Sequence, residues 1–239
     1  MVDGFKVSFS RDIGKFAKGL EDIKQKQFPF AAARALTQTA QAVKEAERQK
    51  MQSVFDRPTR FALNSLYVKP ATKNRLYANV FFREFASKGT PAVKYLGPEV
   101  YGGKRRVKRF ERAMQMAGKL PKNMAVVPGK GARVNSYGNM SPGQITQILS
   151  DLRASSDATQ NRGDGKRAKY FVGKPGNGPM GVWMRKGRKA RDITPVMLFI
   201  EVPSYNKLLP FYETAVRVSR EVFEPKFRKS LDDAIRTAK

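Results

Sequence analysis

Apolar positions change their period several times along this 239-residue chain, and each change predicts an element. Phe5, Val7 and Phe9 alternate with polar neighbours, which predicts a short strand over residues 2–9. Ile13, Phe16, Leu20 and Ile23 then recur at three- and four-residue steps, a helical period. A stronger helix is expected after Pro29, where Ala32, Leu36, Ala40, Val43 and Ala46 form a narrow, small-sided stripe reaching Met51. Such a stripe suits close packing on a sheet or on the same helix of a neighbouring subunit.

Strands are expected over residues 66–70 and 75–83, as a hairpin in which Leu76, Ala78, Val80 and Phe82 alternate with Tyr77, Asn79 and Phe81. Residues 105–117 predict a basic amphipathic helix, with Val107, Phe110 and Met114 inward, the arginines outward and Gly118 at its end. The stretch 120–143 is rich in Pro and Gly and leaves room only for a short strand at 124–127. Ser141-Pro142 starts a helix carrying Ile145, Ile148, Leu149 and Leu152, and a polar loop expected to be mobile covers 155–168. Residues 170–172, 182–184 and 193–202 predict three strands of a meander. Two helical stretches follow at 208–223 and 226–238, with Pro225 expected to break or kink them. With no internal repeat and no clean boundary, the pattern predicts one elaborated α+β domain over 1–239: a mixed or antiparallel sheet flanked by long N-terminal and C-terminal helices, with extended basic loops.

Charge changes the picture. Lys and Arg number 47 against 20 Asp and Glu, a formal charge of +27 on a chain whose 41% apolar content is enough for a core. Residues 61–191 alone hold 27 basic side chains and six acidic ones, whereas both ends are nearly balanced. Two clusters stand out: Lys104, Arg105, Arg106, Lys108, Arg109 and Arg112, then Arg185, Lys186, Arg188, Lys189 and Arg191, with Lys166, Arg167 and Lys169 just before the second. Uncompensated charge of this size works against folding by self-repulsion, so a polyanionic partner is expected, either nucleic acid or an acidic protein surface. Neutralising phosphates gives affinity that is salt-sensitive and blind to sequence. Tyr101, Phe110, Tyr170, Phe171 and Trp183, near the basic runs, are read as core residues rather than base-stacking ones.

Candidate chemistry is sparse. The chain has no Cys and no His, which removes thiol nucleophiles, disulfides, Cys/His zinc sites and imidazole bases together. Asp232 and Asp233 are adjacent on a helix and point apart, while Asp151, Asp157 and Asp164 surround the polar loop. Gly129-Lys130-Gly131 and Gly173-Lys174-Pro175-Gly176 lack phosphate-loop spacing and read as basic turns. The expectation is therefore a non-enzyme without cofactor or metal. Residues 1–10 lack the pattern of a signal peptide, and no apolar run nears the roughly 20 residues of a membrane span.

Gly181-Val182-Trp183-Met184-Arg185, a basic turn, an apolar strand closing on Val202-Pro203 and a helical Phe223-Glu224-Pro225-Lys226 follow the Ala-rich helix at 30–46 in one order. That order resembles the minor tail protein Z (tail completion) family of lambda-like tailed phages, and more broadly phage neck and head–tail joining proteins. Residues 67–169 depart from the compact pattern of that family. The resemblance implies a structural virion protein, assembled in the host cytoplasm. It would form a homo-oligomeric ring, hexameric or dodecameric, around the DNA conduit at the head-proximal end of the tail, beside neck, tail or portal proteins and without membrane contact. Under it the terminal helices would build the assembly while residues 104–112 and 166–191 meet the genome or acidic neighbours. The residues alone leave two other readings open, first a freestanding nucleic-acid-binding protein without sequence preference, and then an enzyme whose chemistry the sequence does not reveal.

Overall fold

A computed structural model describes residues 6–9, 22–85, 89–162, 168–187 and 192–237. In chain order the elements are β1 (Lys6–Phe9), α1 (Asp22–Val54), α2 (Arg60–Leu63), β2 (Leu66–Lys69), β3 (Ala78–Phe82), α3 (Ala92–Tyr101), β4 (Gly103–Lys104), α4 (Arg109–Met116), β5 (Met124–Pro128), α5 (Pro142–Asp151), β6 (Tyr170–Gly173), β7 (Gly181–Arg185), β8 (Ile193–Glu201), β9 (Ser204–Tyr205) and α6 (Phe211–Arg236). The expected α+β class holds, with every described sheet antiparallel and the longest helices near the two ends. The helical period at 10–21 lies outside the described residues.

The single domain expected over 1–239 gives way to two compact units, Met1–Gly102 with Asn206–Lys239, and Gly103–Tyr205 inserted between them. The periodicity could not show this boundary, because it falls at strands of two residues, too short to carry a period. Those strands clip the insert shut, Gly103 of β4 lying opposite Tyr205 of β9 and Lys104 opposite Ser204.

In the first unit β3 is central, between β1 and β2. Val80 pairs with Val7 on one side and Val68 on the other, so the inner face of the sheet is apolar, and α1 packs on it and along α6. The small-sided stripe of α1 is spent inside this unit: Ala31, Ala32, Ala35, Ala40 and Val43 are fully buried in its core with Phe211, Ala215 and Val218 of α6. It is therefore not left open for a neighbouring copy. Pro225 does not divide the C-terminal helix as expected; α6 runs through it. Phe223 and Phe227 stack across that point at 5.9 Å, and Phe28 of α1 meets Phe227 edge-on at 5.4 Å. This packing works against the roughly 3 kcal/mol that an internal proline costs.

The inserted unit is built on a sheet ordered β5-β8-β7-β6, so the expected β6-β7-β8 meander is present and β5 extends it. Its core holds Met114, Ile148, Tyr170, Val182, Val196, Met197 and Phe199. The basic helix is shorter than the expected 105–117, since α4 begins only at Arg109.

The residues that carry the family resemblance hold this sheet together. Trp183 Nε1 donates to the Gly173 carbonyl at 3.1 Å, and Val182 is fully buried. Gly181 lies so close to β8 that a Cβ there would overlap the Met197 carbonyl oxygen, a backbone atom that cannot swing away. Gly181→Ala is expected to destabilise the insert by about 1–3 kcal/mol, read as a lower midpoint in thermal melts followed by the fluorescence of Trp183, the only tryptophan in the chain. An unchanged midpoint would contradict the close approach.

Candidate polyanion-binding surface

The first basic cluster is organised by a carboxylate. Glu111 sits in the first turn of α4, 1% exposed, and each of its oxygens accepts two hydrogen bonds. Oε1 accepts from Arg105 Nη2 at 2.5 Å and Val126 N–H at 2.8 Å, and Oε2 from Arg105 Nη1 at 2.8 Å and Lys108 N–H at 2.7 Å. The Lys108 bond satisfies a backbone donor at the start of α4, which is why the helix begins there and not at residue 105. Burial by itself would raise the Glu111 pKa, but the Arg105 guanidinium and the two N–H groups prevail and hold it below the ordinary carboxylate value.

Arg105 is therefore removed from the expected polyanion-binding set. Its side chain is 16% exposed and its bidentate fork is occupied by Glu111. Lys104, Arg106, Lys108, Arg109 and Arg112 are exposed, and among the described residues none of them forms an ion pair. Lys108 Nζ lies 5.9 Å from the Phe110 ring; partial burial and then the neighbouring Arg105 charge lower its pKa.

In the second cluster the fold brings Lys169, Arg185 and Lys186 to one end of the β6–β7 pair. Arg185 N–H donates to the Lys169 carbonyl at 2.9 Å, which puts the two residues side by side. Lys169 and Lys186 are exposed. Arg185 is partly committed: its guanidinium stands 4.1 Å over Phe171 and donates to the Ala168 carbonyl at 2.8 Å. Lys166, Arg167, Arg188, Lys189 and Arg191 lie outside the described residues.

Two acidic side chains of the insert, Glu111 and Asp151, are drawn into structure, while Asp157 and Glu201 stay exposed. Asp151 is buried, accepting the Tyr170 N–H at 3.0 Å and pairing with Arg162 at 3.1 Å, while Asp157 accepts the Thr159 N–H at 3.0 Å. Glu111 and Asp151 each take one arginine with them, Arg105 and Arg162, so the surplus positive charge of residues 103–205, 21 basic side chains against six acidic, is left to the remaining side chains. Among the aromatics, Tyr170 and Trp183 are buried as expected, and Phe110 and Phe171 are half-buried. Tyr101 is the exception, exposed at the end of α3 with its hydroxyl 2.8 Å from that of Tyr212.

Periodicity and charge counting did not reveal the Glu111 node, although Lys108-x-x-Glu111 has the three-residue offset of a helix-start signal. Nor did they single out residues 57–83, which hold six basic side chains and no acid. Among the described residues no group of three or more acidic side chains could hold a metal ion, and no helix is long and apolar enough to cross a membrane. Comparison with protein-family models, curated proteins and solved structures gives no match to this chain.

Proposed function

We propose that the chain is a structural, non-catalytic protein that meets a polyanion through the inserted unit, in the setting its family resemblance implies: a ring completing a phage tail at the head-proximal end, around the DNA conduit. The observation that carries the polyanion contact is the sorting of charge. Glu111 and Asp151 are buried and paired in the fold, whereas Lys104, Arg106, Lys108, Arg109, Arg112, Lys169 and Lys186 are exposed. Two long helices packed together in a unit with an antiparallel sheet are compatible with the family setting, while the residues of the resemblance are divided, Gly181–Arg185 and Val202-Pro203 in the insert and the two helical stretches outside it. Exposed Lys and Arg on a short helix and on strand ends form a field for phosphates or carboxylates rather than a device for reading bases.

Binding of labelled duplex DNA, followed by anisotropy between about 50 and about 200 mM salt, tests the contact. Replacing Lys104, Arg106, Lys108, Arg109 and Arg112 by Ser, with Arg105 retained, is expected to weaken binding at least about tenfold and to flatten the log–log salt slope by about 0.9 for each phosphate no longer neutralised. The Trp183 melt should stay unchanged. An equal slope in variant and parent would overturn the proposed binding surface. The tail setting is tested separately by size-exclusion chromatography and negative-stain imaging: rings or stable attachment to tails support it, and a monomer that binds free DNA while ignoring tails favours the freestanding reading.

A further inference from the structure

We propose that the outer face of the β1-β3-β2 sheet is a stacking surface for single-stranded nucleic acid, separate from the basic surface of the insert. Alternation along β3 turns Ala78, Val80 and Phe82 into the core, and Tyr77, Asn79, Phe81 and Arg83 follow the other side, where Asn79 is buried and Phe81 half-buried, so the open parts of the face are those at Tyr67 with Arg83 and at Tyr77. Tyr67 of β2 lies directly opposite Phe81, and Lys6 of β1 opposes it from the other flank. Tyr67 is 43% exposed, with its ring edge-on to Phe81 at 5.5 Å and the Arg83 guanidinium 5.1 Å from its centroid. Tyr77 is 41% exposed beneath Arg75 at 5.2 Å. Beside the hairpin turn, Phe30 of α1 repeats the arrangement with Lys73 at 5.5 Å.

Each of these three exposed rings thus carries its own cation, and the chain offers no acid between Asp56 and Glu84. This chemistry selects the occupant. The core of a protein–protein interface gathers its aromatic rings into one dry patch and is depleted of lysine, which this face is not: Lys6 and Lys69 lie on it in solvent. A duplex keeps its base faces stacked on one another, so the tyrosines would have nothing to receive. An unpaired base exposes a π-face that stacks on the uncovered side of an exposed tyrosine, and the neighbouring guanidinium and lysines meet its phosphates. Every base has such a face, so binding is tolerant of sequence. None of these residues belongs to the insert, and the inference stands whether or not the insert contacts a polyanion.

The test uses the full chain with a fluorescein-labelled oligothymidine and a duplex of equal length, both read by anisotropy. Tyr67→Ala and Tyr77→Ala are each expected to weaken oligothymidine binding about tenfold, with duplex binding and far-UV circular dichroism unchanged and Tyr67→Phe behaving as the parent. Arg83→Gln, a change on the exposed side of the sheet, serves if an alanine variant fails to fold, and it too should weaken the oligothymidine complex selectively. Three outcomes would overturn the proposal: alanine variants that bind oligothymidine like the parent, equal weakening for oligothymidine and duplex, or an altered mass by light scattering with oligothymidine binding intact, which would make the face a contact between copies.

Discussion

Glu111→Ala is expected to bring the inserted unit close to unfolding at ambient temperature, seen as a large drop in the Trp183 fluorescence midpoint. The substitution leaves the Arg105 guanidinium largely buried without its carboxylate, and it strips the Val126 N–H and the first turn of α4 of their acceptor. Breaking a buried ion pair from one side costs about 3–5 kcal/mol, a large part of the roughly 5–15 kcal/mol that holds a domain. Because most of that cost is the orphaned charge, the double variant Arg105→Met/Glu111→Met should recover much of the stability. Acid should act in the same direction. The folded Glu111 pKa lies below the ordinary value of 4.5, so its contribution is complete above that pH and disappears as pH falls through the folded pKa. A midpoint that ignores both the mutation and acid would contradict the four-bond arrangement.

Glu47→Met is expected to do the opposite in the first unit and stabilise it at neutral pH. Glu47 lies in α1, 0% exposed, and among the described residues neither of its carboxyl oxygens has a hydrogen-bond partner. Burial first, and Glu213 second, push its pKa up to about 8 against the opposing pull of Lys50. The folded protein thus retains a proton that the unfolded chain releases above the ordinary value of 4.5. Stability should fall as pH rises from there to about 8 and level off beyond, for a total of about 3–5 kcal/mol. Methionine fills a similar volume without charge and should remove this slope while raising the midpoint in far-UV circular dichroism, to which α1 and α6 contribute strongly. If the slope persists in the variant, it has another origin.

Much of the fold was legible wherever a period ran long enough to repeat. The α1 stripe, the β2–β3 hairpin, α5 and the β6-β7-β8 meander all follow the spacing of their apolar residues. Shorter or interrupted elements were not. β4 and β9 have two residues each, and α3 carries Gly97 and Pro98, residues that ordinarily mark a break. Pro225 misled in the same way, because the aromatic contacts that keep α6 continuous come partly from Phe28, far away in the chain. In the candidate sites, the two basic clusters could be found by counting. The cation–aromatic pairs of the hairpin could not, since Arg83 and Tyr67 meet only once β2 and β3 are in register.

Sequence by itself determined the amount of positive charge, its concentration in the middle of the chain, the absence of thiol and imidazole chemistry, and the periods that set the helices and strands. Tertiary structure decided which charges are free. Arg105 and Arg106 are neighbours of the same type, yet one is locked onto Glu111 and the other stands in solvent. Composition and period are properties of the chain read in order, whereas desolvation and pairing depend on distances of a few ångströms between residues brought together only by folding.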